Sequence, residues 1–213
     1  METTTPTYTQ KPFVDPRDFD TDVELPYDLT IEAIRATMED VYETLFTINS
    51  GLTAKGLDRL EETLLGNSFS GLLSELVVKG LARHSDALAR NIKVGGHPDL
   101  IPAGKYPSDS VLQGEGVEVK MSIQTGGWQG HNPEAGWIMV FQYSKDVSTR
   151  PVHKRRPSEY LRVLIAKLER EDWSFSGRRG QSRRTPTASI LKSGTQKLLR
   201  SAIYELGRGQ HLL

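Results

Sequence analysis

From Val117 to Ser122 the chain reads Val-Glu-Val-Lys-Met-Ser, with apolar and polar side chains in alternation. A period of two belongs to the β-strand, whose successive side chains leave on opposite faces. Val117 and Val119 therefore enter a core while Glu118 and Lys120 project together from the other face. Glu118-Val119-Lys120 is the only acid-x-Lys triplet in the chain, and the only Pro-Asp step, Pro98-Asp99, puts its acid 19 residues earlier.

Two carboxylates and an amine gathered in this way suit metal-dependent phosphodiester hydrolysis. A hard divalent cation prefers oxygen ligands such as carboxylates, and a lysine beside them orients or helps activate the attacking water and holds the phosphate. The Val119 backbone carbonyl offers a third oxygen ligand to the same ion.

The segments His97-Pro98-Asp99-Leu100 and Gly116-Val117-Glu118-Val119-Lys120-Met121-Ser122 resemble the PD-(D/E)xK nuclease superfamily and, within it, the type II restriction endonucleases. The resemblance runs from the helix expected near residue 70 to the strand expected near residue 142. It implies a restriction-endonuclease-like α/β fold, a mixed central β-sheet flanked by α-helices. It also implies Mg²⁺ held by Asp99 and Glu118, Lys120 acting on water, and cleavage of double-stranded DNA to 5′-phosphate and 3′-hydroxyl ends. Many enzymes resembling this family carry a further acid on the helix preceding the catalytic Asp, and Glu75 stands in the matching place. A palindromic target would suit a homodimer, with a cognate DNA methyltransferase acting separately.

With 213 residues and no internal repeat, the chain suits one domain able to bury a sizeable core. It contains no cysteine, which excludes disulfides and thiolate zinc sites. No apolar run is long enough to span a bilayer, and the start Met1-Glu2-Thr3-Thr4-Thr5-Pro6 lacks the basic and apolar regions of a secretory signal. The expectation is a cytoplasmic protein with no membrane partner. The zero net charge hides an asymmetry: through residue 144 there are 11 Lys and Arg against 21 Asp and Glu, and from Lys145 onward 16 against 6. The basic C-terminal third either attracts a polyanion or pairs with the acidic remainder.

Residues 1–25, rich in Thr, Pro and Asp, predict a flexible N-terminal arm, followed by a single nuclease domain over 26–213. Within it the catalytic core would occupy about 68–145 and a basic DNA-binding region about 146–213. Thr30 is placed to cap a helix in which Ile31, Ile34, Met38, Val41 and Leu45 recur at spacings of three and four. A short helix with Leu57, Leu60 and Leu64 and a third after Asn67 follow. Ile92-Lys93-Val94 and the Gly95-Gly96 turn then lead to Asp99 at a strand start or hairpin bend. Trp137–Tyr143 reads as a buried strand, an antiparallel neighbour of the Glu118 strand. Gln142 either faces the cleft or is an ordinary hydrogen-bonded strand residue, and His97 and His131 are placed to touch phosphate or replace a water. No nucleotide-type phosphate loop is present.

Tyr160–Leu168 has the composition of a strand, with a helix as the alternative. Beyond it, Arg178, Arg179, Gln181, Ser182, Arg183, Arg184 and Thr185 form a segment suited to DNA. Arg bonds phosphate or pairs with guanine, Gln reads adenine, and Ser or Thr contacts backbone or base. A solvated basic loop is the bland alternative. The same residues also admit a structure-specific repair or recombination nuclease, or a DNA-binding protein without catalysis.

Overall fold

The computed structural model describes Tyr8 and residues 10–130, 132–133, 135–177 and 187–210. The Thr30 hydroxyl accepts the Ala33 N–H at 3.1 Å and so caps α1, Ile31–Thr53. Ile34, Met38, Val41 and Leu45 are buried along one stripe of that helix. A single turn, α2 (Leu60–Thr63), connects to α3 (Gly66–His84), which packs on α1. Gly80 allows the close approach, since a Cβ there would meet the Thr37 methyl at 2.7 Å.

The remaining elements are β1 (Leu88–Arg90), β2 (Leu100–Pro102), β3 (Val117–Ser122), β4 (Gln129–Gly130), β5 (Gly136–Ser144), β6 (Glu159–Leu168), β7 (Trp173–Phe175), β8 (Ala188–Ile190), α4 (Lys192–Arg200) and β9 (Ala202–Glu205). Tyr160–Leu168 is thus a strand. Six strands form one mixed sheet in the order β1-β2-β3-β5-β6-β9, and three form a small sheet, β4-β8-β7. The protein is mixed α/β, with helices flanking a mixed sheet. Among the described residues no helix is long and apolar enough to cross a membrane.

Both faces of the large sheet are covered, and strand alternation sorts the side chains between them. Val117, Val119, Met139, Phe141, Val163 and Ile165 join α1 and α3 in one apolar cluster. Ile138, Val140, Leu164, Ala166 and Leu168 point the other way, onto Trp128, Trp173 and Leu198. Double-sided burial is why β5 reads as a continuous apolar run rather than an alternating one. Each large aliphatic or aromatic side chain so buried contributes about 1.5–3 kcal/mol.

Two expectations are corrected. β5 is not antiparallel to β3: Val117 faces Trp137 and Ser122 faces Gln142 in parallel register. Residues 123–135 cross over and return the chain to the starting end, a length that parallel pairing requires and a tight hairpin does not. The expected flexible arm over residues 1–25 is, from Val14 onward, part of the body. Val14 and Phe19 are buried, and the Phe19 ring lies 5.0 Å from that of Tyr204 on β9. Asp18 anchors it by accepting the N–H groups of Gly207 at 3.0 Å and Gly209 at 2.9 Å. The Thr, Pro and Asp content concealed two core residues and a buried anchoring carboxylate.

The charge asymmetry is partly internal. Arg155 pairs with Glu62, and Arg208 with Asp20 at 3.1 Å, each joining the basic third to the acidic remainder. Arg59, 4% exposed, lies 3.4 Å from Glu61 and 3.2 Å from Glu62 and also donates to the carbonyls of Asp146 and Arg156. This buried knot ties α2 to the connection between β5 and β6.

Candidate active site

Two strands that meet at one point and then diverge build the site. β2 and β3 touch where Leu100 faces Val117. Gly116 permits that contact: its φ is +151°, and a Cβ there would lie 1.8 Å from the Leu100 carbonyl oxygen. Beyond this point Asp99 fills the widening gap, and its Oδ2 accepts the Val119 N–H at 2.9 Å. The N–H and C=O of one strand residue leave on the same edge, so the Val119 carbonyl opens into the gap that holds Asp99.

Asn91, which sequence reasoning did not single out, braces Asp99 from behind. Its N–H donates to the Asp99 carbonyl at 2.9 Å. Its side-chain amide donates to the carbonyls of Pro98 at 3.0 Å and Val111 at 2.9 Å. No spacing rule marks such a strut, because its partners come from two loops brought together only by folding.

On β3 the alternation works as expected. Val117 and Val119 are 0% and 5% exposed, while Glu118 and Lys120 stand on the other face. The Lys120 ammonium donates to Glu118 Oε1 at 3.1 Å. His97 adds a second contact, its Nδ1 lying 2.9 Å from Glu118 Oε2.

These contacts drive the two carboxyls apart electrostatically. Burial pushes Asp99 up, and the neighbouring Glu118 charge pushes in the same direction, to about 7. Burial also acts upward on Glu118, but the His97 hydrogen bond and the Lys120 charge outweigh it and hold Glu118 down to about 2. The pair therefore retains one proton between two carboxyls at pH values where isolated acids are both ionised. A divalent cation replaces such a proton well. Two carboxylates and a carbonyl are hard oxygen donors, and Mg²⁺ characteristically takes one or two carboxylates and keeps several waters. Among the described residues no group of three or more His, Asp or Glu is gathered as a metal cage, so the fit rests on this mixed set.

Glu75 is not brought into this cluster. It lies exposed on α3, where Arg90 of β1 takes up its carboxylate. Gln142 is 3% exposed and shares the face of Glu118 and Lys120, two residues beyond the position that pairs with Lys120. Arg178, Arg179, Gln181, Ser182, Arg183, Arg184 and Thr185, together with His131, lie outside the described residues. Their flanks are informative: Ser176 and Thr187 bond to each other at the open end of the β7–β8 pair. β8 in turn pairs with β4, where Gly130 faces Ala188. The chain thus enters and leaves the basic segment next to β4, not remote from β3.

Two open spaces adjoin the cluster, one at His97 and one at Lys120. His97 borders a cleft of about 620 Å³ whose wall also includes Gln113, Arg170 and Phe175. Lys120 borders a second recess of about 260 Å³, reached by Ser122, Gln124 and Gln129. Compared with protein-family models and with curated proteins, the chain matches none.

Proposed function

We propose that the protein is a Mg²⁺-dependent endonuclease of double-stranded DNA, with a restriction-endonuclease-like fold and the PD-(D/E)xK arrangement of type II restriction enzymes. The observation that carries this reading is the hydrogen bond from the Val119 N–H to Asp99. It joins a Pro-Asp step to the Glu-Val-Lys triplet, so that two carboxylates, a carbonyl and an ammonium converge beside an open cleft. A generic strand with a surface Glu and Lys has no reason to hold a partly buried aspartate against its backbone.

Asp99, Glu118 and the Val119 carbonyl would hold the ion. An ion held by these residues would supply charge neutralisation at the phosphate and a more acidic water. Lys120 presents its ammonium to the recess it borders, where it orients the attacking water and neutralises charge building on the phosphate. His97 and Lys120 together keep Glu118 ionised and fixed, so its oxygens are available to a cation throughout the neutral range. Arg170 supplies positive charge to the wall of the cleft that His97 borders, in line with a phosphate backbone lying in it. A homodimer would cut both strands of a palindromic site.

The test is digestion of unmethylated phage DNA with Mg²⁺, with the fragment ends sequenced, for the wild type and for Glu118→Ala and Asp99→Ala. Discrete fragments from the wild type and none from either variant are expected. Equal cleavage by all three would remove this site from the chemistry. Cleavage confined to branched substrates would identify a structure-specific nuclease on the same site.

A further inference from the structure

Resting on the nuclease reading, we infer that the recess beside Lys120 is a base-reading subsite in which Gln124 and Gln129 recognise the edge of an adenine next to the scissile phosphate. Lys120, Ser122, Gln124, Trp128 and Gln129 line it together. It therefore adjoins the side chain assigned to the attacking water and the phosphate.

The loop that carries the glutamines is rigidly framed. The Ser122 hydroxyl accepts the Gln124 N–H at 2.9 Å, and the Trp128 indole N–H donates to the Gln124 carbonyl at 3.2 Å. Trp128 is 3% exposed within the apolar cluster under the sheet. Its carbonyl accepts the Ile190 N–H at 2.9 Å, and Gln129 then pairs with Ser189 in the β4–β8 ladder. Both glutamines are exposed even though their backbones are pinned. A polar side chain on a fixed backbone suits discrimination, because the anchored backbone leaves only the side-chain rotamers to be ordered when the ligand arrives.

The chemistry selects the ligand class. A glutamine amide donates to N7 and accepts from the N6 amino group of adenine, forming a paired contact that neither guanine nor a pyrimidine reproduces. An ammonium a few residues away marks where a phosphate lies, so the base read here belongs to a nucleotide flanking it. The basic segment after Gly177 is rooted in the same small sheet, since its flanking strands β7 and β8 pair with each other and β8 pairs with β4.

The experiment measures binding of a randomised duplex library in Ca²⁺ and cleavage of the same library in Mg²⁺, for the wild type, Gln124→Ala and Gln129→Ala. The wild type should select an adenine near the cut. At least one variant should lose about tenfold to a hundredfold in affinity for that duplex and accept any base there, with unchanged affinity for scrambled DNA and an unchanged salt slope. Replacing that adenine by 7-deazaadenine should weaken the wild type and leave the affected variant indifferent. Unaltered base profiles in both variants, or equal weakening on all duplexes, would overturn the subsite. Selective binding lost in the variants but without wild-type cleavage would keep the subsite and overturn the nuclease reading. A wild type that binds no DNA would overturn both.

Discussion

Asp99→Asn in metal-free protein probes the carboxyl pair directly. The amide has the shape of a protonated carboxyl: its oxygen still accepts the Val119 N–H, and its NH₂ donates toward Glu118. In the wild type the folded carboxyl titrates at about 7 against an ordinary 3.8. A group raised in the folded state contributes stability that is fully present below the lower value and is lost as pH rises through the upper one. Each pKa unit corresponds to about 1.36 kcal/mol, so the wild type should lose on the order of 4 kcal/mol between about pH 4 and 8. Glu118, held down to about 2, contributes stability lost as pH falls below about 4.5, which touches only the acid end of this window and is shared by the variant. The substituted amide carries no proton to lose. The variant and the wild type should therefore unfold alike in urea at pH 4 with EDTA, and the variant should be more stable at pH 8, by about 10 °C in Tm. Added Mg²⁺ should raise the wild-type Tm at pH 8 and leave the variant unmoved. Parallel pH profiles for the two proteins would show that Asp99 holds no displaced proton, and the argument for a cation at this pair would lose its electrostatic basis.

On the proposed reading, in which its ammonium would act on water and phosphate and ligate nothing, Lys120→Ala should lower turnover by about a hundredfold to ten-thousandfold while calorimetry still detects metal; lost metal affinity with unchanged turnover per bound ion would reverse that assignment. Gly116→Ala introduces a Cβ 1.8 Å from the Leu100 carbonyl oxygen at a φ of +151°, adding about 1–3 kcal/mol of backbone strain alone and parting β2 from β3. Chemical denaturation should show the destabilisation, and cleavage should be lost with it; wild-type values for both would mean that Asp99 is placed by something else. Arg59→Ala leaves Glu61, whose side chain is 1% exposed, without its cation and should cost about 3–5 kcal/mol in urea unfolding; a loss under about 1 kcal/mol would show the network to be solvated.

The strand bearing Glu118 and Lys120 was legible because its period of two is a local property, and α1 was legible because Thr30 and the Ile34–Leu45 stripe are local as well. The chemistry-bearing residue types, Asp99, Glu118 and Lys120, were likewise evident from motif and order. Whether they meet was not, since that depends on Gly116 admitting Leu100 against β3 and on Asn91 joining two loops. The parallel sense of β5 escaped for a related reason: residues 123–135 are equally polar in a crossover and in a long hairpin loop, and only the sheet's register distinguishes them. Composition misjudged residues 14–20 because two apolar side chains among acids and prolines form no pattern until β9 offers them a surface. His97 and the recess at Gln124 and Gln129 depend on contacts between segments separated in sequence, whose side-chain positions no local periodicity sets. Local energetics, repeated every two or three to four residues, write themselves into a sequence, whereas convergence of side chains from different strands is decided by packing alone.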